Sequence, residues 1–220
     1  MKKSGIWLWL LMPLLFFPAG CQAADRADGP LREPAVAGRF YPESAPALRL
    51  AVEKYMAEAV PPVAEGPVAI IVPHAGYVFS GQICADGFNQ VRGRRYETVV
   101  ILGTNHTSSS FRKVGIHPGR GFRTPLGEAA VDGAVVEALL AGCPDCTLDA
   151  SIHAREHSVE VVLPFVQVLF PEAKIVPAVV GEADVEMCRR FGKALARVVK
   201  GRNALIVAST DLSHYPSAAH

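Results

Sequence analysis

Three runs of apolar, largely β-branched residues frame this chain: Val68–Val72, Thr98–Gly103 and Ala204–Ser209. None alternates polar with apolar positions, so each predicts a strand buried on both faces, as in a parallel sheet. Lys174–Val180 predicts a further strand and Val114–His117 a short one. Between these runs the apolar positions take a helical period. Ser44 caps a helix reaching Val60, with Leu48, Val52, Tyr55 and Met56 on one face and Pro61-Pro62 as its stop. Further helices are predicted from about Gln82 to Val91 and Asp132 to Ala141. Another runs from Asp184 to Lys200, with Cys188, Phe191, Leu195 and Val198 inward. Gly76 and Gly81 predict a tight turn after the first strand, and Phe122 to Gly127 a second turn. His153 opens a segment that turns helical through Val159, Val162, Leu163, Val166 and Leu169, which Pro164 kinks or shortens. Strands alternating with helices predict an α/β fold: a three-layer sandwich around a mixed, largely parallel sheet.

Each of the three buried runs is followed by an imidazole. Pro73 ends the first and His74 comes next; His106 lies three residues past the second; Asp211 and His214 follow the third. Ligands of open α/β sheets bind outside the carboxyl ends of the strands, so these side chains predict one shared site. Imidazole is a ligand for zinc, iron and copper, and Asp211 suits either a ligand or an orienting role. His153-Ala154-Arg155-Glu156-His157 also matches H-x-x-E-H, which on a helix would place two imidazoles on one face for a zinc peptidase. The competing reading has Glu156 and His157 bracing or lining the strand-end site. His117, before Pro118-Gly119, reads as part of a surface turn, and His220 carries no signal.

Composition narrows the partners. The 220 residues carry a formal net charge of +1 with no basic run, which argues against nucleic acid. Lys2 and Lys3 followed by the apolar stretch Ile6 to Phe17 read as a leader, too short to span a bilayer comfortably. Pro18-Ala19-Gly20-Cys21 is similar to a bacterial lipoprotein cleavage box, with Pro18 where Leu is usual. This predicts a signal peptide over residues 1–20, lipidation at Cys21, a tether over 21–34 and one domain over 35–220. The chain would then be exported and held at the cell envelope by a lipid anchor; the alternative is an ordinary secretory signal cut near Ala23 or Ala24. Of the other cysteines, Cys143-Pro144-Asp145-Cys146 predicts a local disulfide pinning a loop, while Cys84 and Cys188 stand alone.

Six blocks give the chain a family resemblance. They are Gly38–Pro42, Pro73–Gly81, Leu102–Thr107, Thr124–Gly127, Glu156–Glu160 with Leu163–Phe165, and Ser209–Tyr215. In this order they resemble the Memo family, known in bacteria as the B protein of the AmmeMemoRadiSam system. The resemblance implies a fold like that of class III extradiol dioxygenases, which hold non-haem Fe(II). It places His74 and His106 as metal ligands, His214 at the acid–base position and Asp211 in the same pocket. Glu156, His157 and Asn105 fall in the pocket wall. The family's third ligand is a Cys well downstream of the Asp-x-x-His block; it is expected beyond the chain end, so the domain reads as C-terminally truncated. A thiolate ligand favours copper or a redox role over oxygen activation on iron.

The expectation is therefore a metal-dependent redox or oxidase-type protein using Fe(II) or Cu. The alternative is a non-catalytic adaptor that uses the same crevice, with the zinc peptidase as a minor third reading. Implied partners are a small molecule or peptide, AMMECR1-type and radical-SAM proteins of the same system, and the membrane through Cys21.

Overall fold

The structure is a computed structural model that describes residues 29–63, 65–212 and 217. The leader, Cys21 and His214 lie outside the described residues. In chain order the elements are β1 (Leu31–Arg32), α1 (Ala45–Glu58), β2 (Ala69–Val72), α2 (Tyr77–Asn89), β3 (Thr98–Thr104) and β4 (Val114–Ile116). There follow β5 (Gly121–Thr124), β6 (Gly127–Ala130), α3 (Gly133–Gly142), β7 (Cys146–Leu148), α4 (Ala150–Ala154) and α5 (Leu163–Leu169). The last three are β8 (Lys174–Val180), α6 (Val185–Val199) and β9 (Ala204–Ser209). No helix among the described residues is long and apolar enough to cross a membrane.

The fold is mixed α/β, a sheet flanked by helices as in a three-layer sandwich. The six-stranded sheet has the order β2-β9-β3-β8-β4-β7. Strands β2, β9, β3 and β8 are mutually parallel, and β4 runs antiparallel to β8. Val72 and Gly103 both pair with Ser209. The three strands predicted to carry site residues are therefore neighbours and end at one level. A smaller sheet joins β1, β5 and β6. Phe88 of α2 and Phe165 of α5 stack with centroids 5.4 Å apart, and Leu48 and Val52 of α1 are buried with them.

Several elements differ from the sequence pattern. Strand β2 is covered on one face only: Ile70 and Val72 are buried, whereas Ile71 is 69% exposed. It is an edge strand of the six-stranded sheet, and an apolar run cannot report how many neighbours it will have. Helix α2 begins at Tyr77, so Gly81 lies inside it rather than in a turn. A Cβ at Gly81 would meet the Tyr55 ring at 2.6 Å, so glycine there serves close helix packing. The predicted turn at 122–127 is the β5–β6 hairpin, with Gly127 at φ +119°. Pro164 lies in the first turn of α5, where its fixed φ starts the helix and kinks nothing. The predicted Cys143–Cys146 disulfide is absent: both thiols are free, and Cys146 N donates to Cys143 O at 3.1 Å across the turn joining α3 to β7.

The H-x-x-E-H segment is not one helical face. Helix α4 ends at Ala154, and the chain then turns irregularly to Val162. His153 is buried against His117 and Phe122, with Nε2 3.0 Å from Gly115 O, so that nitrogen carries the proton and donates. His117, read as a surface residue, is only 3% exposed in this cluster. The diverging histidines remove the basis of the zinc peptidase reading.

Two outcomes follow from this packing. Burial, with His117 opposite, lowers the His153 pKa from 6.5 to about 3. The unfolded chain then binds one more proton between those values, so this contribution is complete above pH 6.5 and is lost as pH falls toward 3. Between about pH 7.5 and about pH 4, urea unfolding should show wild type losing roughly 3 kcal/mol more than a His153→Gln variant; equal losses would contradict the assignment. At Gly103 of β3, an added Cβ would strike Ser158 Oγ and approach Val159 Cγ2 to 2.8 Å. Gly103→Ala should therefore cost about 2 kcal/mol in the same assay.

Candidate metal centre

His74 leaves the end of β2 and is fully buried. Asp211, two residues past β9, holds it by the backbone: Oδ1 accepts from His74 N at 2.6 Å and Ala75 N at 3.1 Å. The ring is held by a serine that sequence reading did not single out. Ser209 Oγ donates its only proton to Ser158 O at 2.6 Å, so toward His74 Nδ1, 2.9 Å away, it can only accept. Nδ1 therefore carries the proton and Nε2 the lone pair. That Nε2 is buried with no hydrogen-bond partner among the described residues. A buried acceptor left this way is costly unless something binds it.

The other two imidazoles are gathered by Glu156. Its carboxylate accepts from His106 N at 2.6 Å, His106 Nδ1 at 2.9 Å, His157 N at 2.8 Å and Ser158 N at 3.0 Å. His157 Nδ1 lies 3.4 Å from the same carboxylate. An ionised carboxylate only accepts, so Nδ1 of His106 carries the proton and the lone pair sits on Nε2, as in His74. Burial works against ionising Glu156, but the hydrogen bonds from His106 and Ser158 outweigh it and hold its carboxyl below the ordinary value. Burial also lowers His74 to about 4, against the opposing pull of Asp211, and lowers His157, so both are neutral donors at physiological pH.

Nitrogens of His74, His106 and His157 all lie within 4.8 Å of one another, and this group can hold a metal ion. The ring centroids are 5.2, 5.5 and 4.6 Å apart. Asp211 Oδ2 lies 3.8 Å from His74 Nε2, beside the group. Of the four residues in the strand-end pattern, the structure brings together His74, His106 and Asp211, and His214 lies outside the described residues. The structure moves His157 from the wall into the cluster itself. Asn105 is occupied by its own loop: Nδ2 donates to Ser108 O, and Oδ1 accepts from the Thr107 and Ser108 amides. Sequence reading had no means to assign Ser209 or Ser158, because a serine at a strand end has no periodic signature.

Comparison with known proteins shows the family of the chain. The family profile described as "Memo-like protein" matches residues 32–218. A "MEMO1 family protein" of Aquifex aeolicus (strain VF5) is 39% identical over 189 residues, covering 86% of this chain and 69% of the relative. One from Methanopyrus kandleri is 37% identical over 196 residues, covering 84% and 69%. One from Thermotoga maritima is 37% identical over 196 residues, covering 84% and 70%. With a profile match over most of its length and relatives well above 30% identity, the chain belongs to the Memo family.

Proposed function

We propose that this protein binds a redox-active metal, iron or copper, through His74, His106 and His157, and uses it for oxidase-type chemistry on a small molecule or peptide. The observation that carries the reading is the buried Nε2 of His74, which has no hydrogen-bond partner among the described residues and whose tautomer is set by Ser209. Three neutral imidazoles suit iron, copper and zinc alike, so the donor set fits the group. When bound, iron or copper supplies a Lewis acid and an electron-transfer centre.

The side chains around it have separate tasks. Ser209 and Glu156 keep the protons of the His74 and His106 rings on Nδ1 and so aim the lone pairs inward. Asp211 Oδ1 accepts from two backbone amides, and Oδ2, 3.8 Å from His74 Nε2, faces the cluster as a proton acceptor for substrate. The acid–base role of His214 belongs to this proposal, as do export and lipid anchoring at Cys21.

Metal analysis by mass spectrometry tests the reading on protein purified and loaded without oxygen. Near-stoichiometric iron or copper is expected in wild type and below a tenth of that in His74→Ala/His106→Ala. Zinc alone, or no metal, in wild type would overturn the redox reading. Asp211→Asn should keep the metal and lower any turnover by about a hundredfold or more; loss of the metal would instead make Asp211 a ligand.

A further inference from the structure

His74 and His106 are delivered by strands, but His157 is not. It lies in the irregular stretch between α4 and α5, where backbone geometry is set by whatever else binds it. What binds it is the arm ahead of α1. Glu160 is fully buried, and its carboxylate accepts from Ala35 N at 2.9 Å, Val36 N at 3.0 Å and Tyr41 Oη at 2.5 Å. Arg32 completes the set by pairing its guanidinium with Glu160. The same guanidinium donates to His153 O at 3.0 Å and to Glu156 O at 2.5 Å, so one rigid fork grips both sides of the turn before His157. Further along the arm, the Phe40 ring rests on His157 with centroids 4.7 Å apart. Phe40 O is itself fixed by Tyr77 N at 2.7 Å.

We infer that the arm from Arg32 to Tyr41 is the positioning element of the third imidazole: Arg32 and Glu160 set the turn, and Phe40 sets the ring. This rests on the proposed metal site and adds that its third imidazole depends on a segment more than a hundred residues away in sequence. Arg32 and Phe40 touch no metal; they act through His157. The arm needs its charged fork because the turn offers three acceptors that no regular element satisfies: two carbonyls and a carboxylate.

Cobalt(II) titration of the full chain, followed by visible absorption, separates positioning from simple destabilisation. Wild type, Arg32→Lys, Phe40→Ala, His157→Ala and each pairing with His157→Ala would be compared, with melting temperatures alongside. Arg32→Lys and Phe40→Ala should each weaken cobalt binding by about tenfold to a hundredfold. Each should also shift the bands toward the His157→Ala spectrum. Neither should weaken binding further once His157 is absent. Wild-type affinity and bands in both variants, or losses that add in full to that of His157→Ala, would overturn the inference. If Arg32→Lys does not fold, Phe40→Ala decides alone, because it leaves every hydrogen bond of the arm in place. Cobalt binding to wild type but not depending on the arm would sink only this inference; no cobalt binding to wild type would sink the metal site with it.

Discussion

The buried carboxylate of Glu156 is the constraint on which the site depends. A carboxylate out of water is tolerated only when its lone pairs are filled. Here four N–H groups fill them, from His106, His157 and Ser158. Those donors come from two stretches fifty residues apart in sequence. Satisfying one charge therefore closes the loop after β3 onto the turn after α4. Two imidazoles end up nearly parallel, 4.6 Å apart, with a third edge-on to both.

The sheet supplies the other half. Because β2, β9 and β3 are adjacent and parallel, their ends bring His74, Asp211 and His106 to one level without special loop geometry. A short polar relay then joins sheet to turn: Ser209 Oγ donates to Ser158 O, and Ser158 Oγ donates to Thr104 O at 2.8 Å. Gly103 leaves room for Ser158 to approach that closely. The outcome is that the tautomers of His74 and His106, and the placement of all three rings, are set by the protein's own side chains. Such preorganisation is what a tight and selective metal site needs.

How much of this the chain's pattern revealed depended on the range of the interaction. Strands β3, β8 and β9 were legible almost to the residue, since continuous β-branched runs have few other uses. His74, His106 and Asp211 were legible because strand ends in such sheets face the ligand crevice. His157 was legible only as wall. Its local spacing pointed to His153 as companion, and nothing short-range shows that α4 ends at Ala154. Gly81 read as a turn because its partner, the Tyr55 ring, lies on another helix. The roles of Arg32 and Glu160 were hidden for the same reason: the fork joins residues 128 apart in sequence.

The central claim is that the imidazoles of His74 and His106 are held with their lone pairs on Nε2, ready for a metal ion. Long-range nitrogen–proton NMR of metal-free protein, with ring nitrogens labelled by nitrogen-15, tests it most directly. The account predicts His74 and His106 in the Nδ1–H tautomer near neutral pH. On addition of zinc as a diamagnetic probe, the Nε2 resonances of His74 and His106 and one ring nitrogen of His157 should move together. Protons on Nε2 before zinc, or Nε2 resonances that stay in place after it, would contradict the account.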